Sequence, residues 1–505
     1  MQLHWRLAKN AIVNVGRGGA AAIFAVLLPP VLVRHMTPAS YAVWVLVLQT
    51  AAYVSYLNFG LQTAIGRYVA YAVEKKDHAQ RDSVFSTAFA GLCAAALVSL
   101  VCLVVAIIAA PALFPSVPEY LMPQMRLALL IVGIAMAAEL PASAWTGVFI
   151  GMERYEIPAL TVGGARFVSA CGVVAAALAG RSLVFMAVII ASANILSYFG
   201  QYLSLRRFAP DVHFNASLVL LSTARELYGY CFGLTILSFS MLLVTGFDLL
   251  FVGHFQFAAV TPYSVAASMI SVISGLLYAV VGVIMPHAAV LHARRKAEEM
   301  GSLVISSTRF SVVLLIMTGV PILISARQIV GLWIGQRYVA GGASLLEVLI
   351  VANIIRLIGA PYGLVLIASG QQRYIKVSPL AEGISNVIAS VALGAVLGGL
   401  GVALGTLFGS IVGLVSHLFY SMVHTKSAIT FSRKDFVTSG VLAPLLCTSP
   451  LLGLGAASLC GIEIRLPLFS LAMLLSLVGA GLLLLRTHGF VRKRFDAESA
   501  QEGIC

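Results

Sequence analysis

The chain has 505 residues, 60% of them hydrophobic and only 10% charged, with a formal net charge of +13 and a mean hydropathy of +0.98. Soluble domains carry about 25% charged residues, and no packed core could hide this much apolar surface from water, so a soluble fold is excluded. The positive excess fits Lys and Arg gathered in cytoplasmic loops of a membrane protein and implies no nucleic acid.

Met1 to Asn10 is basic, but the apolar span after it is too long for a signal peptide and has no obvious cleavage site. Apolar spans bounded by charge or by Pro and Gly begin near Asn10, Tyr41, Val84, Gln124, Ile157 and Ser182. A more polar segment runs from Leu205 to Arg225. Spans then resume near Leu227, Thr261, Leu303, Ala343, Lys376 and Leu400, and a last pair starts near Phe436 and Ile464. Each is long enough, at 1.5 Å per residue, for a hydrocarbon core of roughly 30 Å. The expected fold is all-α, with about 14 transmembrane helices.

Two echoes suggest a duplicated unit. Thr37-Pro38 opens an apolar span with Tyr41, and Thr261-Pro262-Tyr263 opens another. Gly151-Met-Glu-Arg-Tyr155 returns as Gly370-Gln-Gln-Arg-Tyr374. The echoes keep their order at nearly the same offset. The expected domains are a first lobe over 1–204 and a cytoplasmic linker over 205–226. A second lobe over 227–425, a helix pair over 426–486 and a cytoplasmic tail over 487–505 complete the chain. Six helices per copy make the two lobes parallel repeats rather than inverted ones.

With the N-terminus inside, 20 of the 32 basic residues fall in inside loops, including Lys75, Lys76, Arg81, Arg206, Arg207 and Arg294 to Lys296. Six fall outside: Arg34, Arg126, Arg181, Arg327, Arg337 and Arg465. Such a bias favours cytoplasmic N- and C-termini. Seven cysteines make no C-x-x-C, so neither a metal site nor a disulfide framework is expected. There is no Gly-Lys for a Walker loop, no H-E-x-x-H and no G-x-S-x-G, and no loop exceeds roughly 25 residues. A catalytic site is therefore not expected.

The remaining basic residues are Arg17, Arg67, Arg166, Arg309, Arg356 and Arg486. Arg67, Arg309 and Arg486 lie near enough to helix ends to snorkel. Arg17, Arg166 and Arg356 lie deeper, at about 2.5–3.5 kcal/mol each on insertion scales, which requires a wet cavity or an acid partner. The candidate acids are Glu139, Asp248, Glu347 and Glu382. Buried ion pairs holding helices together are one reading. A central cationic cavity for an anionic substrate is the other, because guanidinium forks replace the water around a phosphate. Trp44, Trp145, Trp333 and tyrosines near span ends read as interface anchors.

The chain resembles lipid-linked oligosaccharide flippases (O-antigen or exopolysaccharide repeat-unit translocases) of the multidrug/oligosaccharidyl-lipid/polysaccharide exporter superfamily. The resemblance rests on Arg34-His-Met-Thr-Pro-Ala-Ser-Tyr41 with Trp44, Asn58-Phe-Gly-Leu61 and Gly66-Arg-Tyr-Val-Ala70. It rests further on Phe247-Asp248, Tyr263-Ser-Val-Ala266, Leu332-Trp-Ile-Gly335 and Gly398 to Thr406. It implies a non-enzymatic transporter in the bacterial cytoplasmic (inner) membrane. The cargo would be undecaprenyl-pyrophosphate-linked oligosaccharide, moved to the periplasmic leaflet by alternating access. No cofactor is implied beyond a coupling ion, H+ or Na+; a polysaccharide polymerase and chain-length proteins are candidate partners. Arg17, Arg67, Arg166 and Arg356 would be the substrate-binding cations, with Asp248, Glu139 and Glu382 as pairing or ion-coupling acids. The rival readings are a multidrug or cation antiporter of the same superfamily, a membrane polysaccharide polymerase or ligase, and a scaffold for such enzymes.

Overall fold

The computed structural model describes residues 27–371, 374, 376–425 and 429–502, which contain helices and no strand. Among them are 12 helices long and apolar enough to cross a bilayer. A thirteenth candidate is the bent pair Arg433–Cys447 and Ser449–Leu459, broken by 73°. These thirteen correspond one to one with the expected spans from Tyr41 onward. The first expected span lies mostly outside the described residues, of which 27–35 are helical (α1).

The helix ends follow from local chemistry. Helix α2 (Pro38–Ala52) starts with Pro at its first position and Thr37 as cap, whose Oγ1 accepts from the Ser40 amide at 3.1 Å. After α3 (Leu61–Glu74), Lys76 turns the chain with φ 57° and Asp77 caps α4 (His78–Leu113) through the Gln80 amide at 2.9 Å. Helices α5 (Met122–Gly151), α6 (Glu156–Leu178) and α7 (Leu183–Phe208) follow. The expected 205–226 linker carries its polar groups to the start of α4. There Ser83 donates to Leu218 O, while the Asn215 and Leu220 amides donate to Ser86 Oγ and Thr87 Oγ1. This accounts for three of the buried hydroxyls of α4; a fourth, Ser99, donates to Ala96 O.

The chain divides into two compact units. The first holds residues up to Ser268 together with Val391–Val402, and the second holds Met269–Ser390 and the chain from Ala403. The division falls inside α10 (Val260–Val281), so 205–226 lies within the first unit, as do α8 (Leu221–Met241) and α9 (Asp248–Phe255).

In the first unit α5 packs on α3, α4 and α7, around buried Leu61, Ile65, Phe85, Leu92 and Phe149. Small residues set this approach: a Cβ on Gly151 would lie 2.8 Å from Gly66 O, and one on Gly147 2.9 Å from Gln62 O. The two Thr-Pro echoes meet here, with Thr261 Oγ1 donating to Pro38 O at 3.4 Å. Trp44 is 2% exposed inside this unit, a correction to its reading as an interface anchor. Trp145 likewise packs among aromatic rings, 6.5 Å from Phe89 and 5.6 Å from Tyr202 between centroids.

In the second unit α11 (Ile284–Ala293) leads to α12 (Ala297–Ile324) and α13 (Ala326–Trp333), and α12 contacts α14 (Val339–Ile358), α15 (Ala360–Ala368) and the bent pair. Part of its core is Ile273, Leu277, Val281, Leu315 and Leu357. Arg309, expected to snorkel, donates instead from Nε to Ser439 O at 2.9 Å. That bond fixes the charge against the backbone of the bent pair.

Candidate functional site

Each unit holds polar groups within its apolar spans. In the first, the span Pro38–Glu74 is not one helix. A tight 3-10 turn covers Tyr53–Asn58, then Phe59 and Gly60 adopt φ 50° and 76°, and only then does α3 begin. Irregular backbone at membrane depth survives where protein groups or water satisfy it. Here Asn58 Oδ1 accepts from the Gln62 amide at 3.1 Å and Thr235 Oγ1 donates to Phe59 O at 3.1 Å. Asn58 Nδ2 donates to Ser143 Oγ at 2.9 Å, tying the break to α5.

The break opens a cavity of about 350 Å³. Ser55, Tyr56, Asn58, Gln62, Thr63 and Glu139 supply most of its polar lining. Glu139 is half-buried on α5, within electrostatic reach of Arg166 on α6 and of Tyr198 on α7. Arg166 itself is exposed. The cavity thus gathers a carboxylate, amides and hydroxyls, while the Arg166 guanidinium stands within electrostatic reach of the carboxylate without lining the space.

The span Leu221–Phe255 is also interrupted, by a π-helical turn over Leu242–Gly246. Gly246 O is capped twice, by Gln49 Nε2 at 2.9 Å and by the Tyr53 hydroxyl. Asp248 begins α9 just after this turn, 6% exposed, and accepts from Tyr263 OH at 3.2 Å. Its carboxylate therefore sits at the second break, bonded to the tyrosine of the Thr261-Pro-Tyr echo.

The second unit gathers its polar groups from α10, α14 and α16 (Val377–Leu397). Asn353 Oδ1 accepts from Arg356 at 2.7 Å and from Ser274 Oγ at 3.0 Å. Asn353 Nδ2 and Glu382 Oε1 are both buried with no hydrogen-bond partner. Arg356 is within electrostatic reach of Glu382 and of Tyr278. Among the described residues neither Arg356–Glu382 nor Arg166–Glu139 is a contact ion pair, unlike Arg81–Asp82 and Lys296–Glu299. The glycines of α17 (Gly399–Ser416) make room for this side of α16. Cβ atoms on Gly405, Gly409 and Gly413 would lie 2.3 Å from Ser390 Oγ, 2.8 Å from Asn386 Cβ and 2.7 Å from Glu382 Oε2.

Of the expected site residues, Glu139 and Arg166 come together, as do Arg356 and Glu382. Asp248 stands with Tyr263. Arg67 stands apart from all of these, exposed on α3, its guanidinium 4.7 Å from the Tyr230 ring centroid. Arg17 lies outside the described residues. Glu347, half-buried on α14, is within reach of Arg327 instead. Gln62 and Asn353 carry no role in the sequence-based expectations, Asn58 enters them only within a resemblance motif, and of the Glu382-Asn386-Ser390 row Glu382 alone is among them. The last was visible as polar residues every four positions, opposite glycines spaced by four.

Among the described residues, interrupted spans and polar clusters within apolar helices define a multi-pass helical membrane protein. Over residues 7–292 the chain matches the family described as polysaccharide biosynthesis protein, and it belongs to that family. It is similar to the lipid II flippase MurJ in an inward closed conformation, at TM-score 0.67 and 14% identity, over 97% of this chain and 99% of that one. It is also similar to an inward-facing multidrug resistance MATE transporter, at TM-score 0.64 and 13% identity, over 83% of this chain and 98% of that one. A third likeness is to a superfamily transporter from Pyrococcus furiosus described as having a binding pocket of reverse polarity. Its TM-score is 0.53 at 13% identity, over 84% of this chain and 96% of that one. At such identities the likeness establishes the fold. No curated protein sequence matches the chain.

Proposed function

We propose that the chain flips a polyprenyl-pyrophosphate-linked oligosaccharide from the cytoplasmic to the periplasmic leaflet of a bacterial inner membrane, for O-antigen or exopolysaccharide synthesis. The observation that carries this reading is the pairing in each unit of a guanidinium with an acid that it does not contact. A contact pair would spend the guanidinium on its neighbour. Arg166 and Arg356 keep theirs available for a diphosphate, to which planar forks give bidentate hydrogen bonds. An unpaired phosphate would otherwise meet a Born cost of order 20 kcal/mol in hydrocarbon. Arg17 and Arg67 take the same role in this reading. The amides and hydroxyls at the 53–60 break suit sugar hydroxyls.

Glu139, Glu382 and Asp248 serve as pairing acids or carry the coupling ion, H+ or Na+, and no bond of the cargo is made or broken. Both termini face the cytoplasm, where most loop cations lie. Membership of the polysaccharide biosynthesis family supports this reading over the antiporter. Removal of the protein tests it. Lipid-linked saccharide should then accumulate on the cytoplasmic face, with drug sensitivity unchanged. Normal surface polysaccharide with new drug sensitivity would replace the flippase by the antiporter.

A further inference from the structure

At the far end of α4 from Lys75, Lys76 and Arg81 lies a cavity that transport leaves unused. Helix α4 has 36 residues, so its ends are about 54 Å apart. The cavity, of about 650 Å³, lies between the last turns of α4, the loop after it and the first turns of α5. Its walls are mostly apolar, from Ile107, Pro111, Leu127 and Leu130 among others. Leu127 and Leu130 are 46% and 36% exposed, which makes the wall continuous with the bilayer-facing side of these helices. Tyr120, 67% exposed, stands beside it, a residue type suited to the headgroup level.

Two charges of opposite sign line the same space, Arg126 and Glu119. Arg126 Nε is buried and has no hydrogen-bond partner, and the two side chains do not form an ion pair within 4 Å. A buried donor without a partner costs about 1–3 kcal/mol, and a ligand oxygen would recover it. A purely apolar occupant would leave the Arg126 Nε unanswered, and Glu119, exposed at the rim, sets a carboxylate beside the headgroup. A purely anionic one would face Glu119.

We propose that this cleft binds an aminophospholipid of the leaflet at that end of the bundle. Its phosphate sits on Arg126, its ammonium on Glu119, and one acyl chain lies along Ile107, Pro111, Leu127 and Leu130. The site is independent of the cargo and of the flippase reading.

The test uses the full chain, delipidated in detergent, with native mass spectrometry in added phosphatidylethanolamine, phosphatidylcholine and phosphatidylglycerol of matched chains. Phosphatidylethanolamine occupancy should lead, because its ammonium donates hydrogen bonds and the glycerol headgroup has no cation. Arg126→Ala should weaken phosphatidylethanolamine binding about tenfold, and Arg126→Lys should restore most of it. Glu119→Gln should erase the lead over phosphatidylglycerol while leaving binding itself. Should Arg126→Ala fail to fold, Leu130→Trp, which fills the groove from its exposed rim, should lose the lipid in its place. Phosphatidylglycerol bound as well as phosphatidylethanolamine by the unaltered chain would overturn the proposal. So would phosphatidylethanolamine occupancy unmoved by both Arg126→Ala and Leu130→Trp.

Discussion

The two polar clusters use the same chemistry with different access. In the first unit Glu139 lines an open cavity made by a broken helix, and Arg166 is exposed. In the second, Glu382 is 8% exposed and Asn353 2%, with the α17 glycines packed closely against one side of α16. Water can share the charge in the first cluster. In the second, protein groups must carry it, and two of them lack partners. The contrast teaches that an acid and an arginine near each other in a membrane protein are not one motif. Burial decides whether removing a charge is cheap or consequential.

Ways to break this contrast run from severe to slight. Gly405→Leu should abolish monodisperse folded protein, because even a Cβ there meets the Ser390 backbone nitrogen at 2.5 Å. Gly405→Ala should already cost about 1–3 kcal/mol. Thermal unfolding followed by size exclusion reads both, and an unshifted alanine variant would mean that α16 and α17 are not held this close. Next is Glu382→Ala, which removes an acid with an unpartnered oxygen. Stability should hold or rise by about 1 kcal/mol while cargo transport drops on the order of tenfold. A large loss of stability with unchanged transport would make Glu382 a packing residue.

Glu139→Gln should be milder, a two- to fivefold loss of transport, as for pairs that water screens. A deeper loss than Glu382→Ala gives would invert the ranking of the clusters. Smallest is Asn58→Ala, which forfeits bonds to Ser143 and to the Gln62 amide. About 1–2 kcal/mol of stability should go, read as a fall in the unfolding midpoint at unchanged expression.

Much of the fold was legible in the chain because a bilayer demands long apolar runs, and thirteen runs became spans where their hydropathy put them. The breaks were not. Leu242–Gly246 is as apolar as its surroundings, Tyr53–Asn58 is marked only by Ser55, Asn58 and two tyrosines, and what permits each is a distant donor, Thr235 in one case and Gln49 with Tyr53 in the other. Trp44 misled for a related reason. Its place near a span end suggested a headgroup anchor, whereas neighbouring helices bury it. Composition identified Arg166 and Arg356 as costly and named Glu139 and Glu382 among the candidate acids. It could not specify that each arginine would stop short of contact with its acid. The Asn353 amide that receives Arg356 carries no signal of its own in the sequence.

The claim that a guanidinium at depth receives the cargo's diphosphate is tested most directly by locating lipid-linked saccharide between leaflets in cells carrying Arg356→Ala at unaltered protein level. The account predicts saccharide held on the cytoplasmic face, with transport reduced about 10- to 100-fold and partly restored by Arg356→Lys. Delivery to the outer face at the full rate by the alanine variant would contradict it.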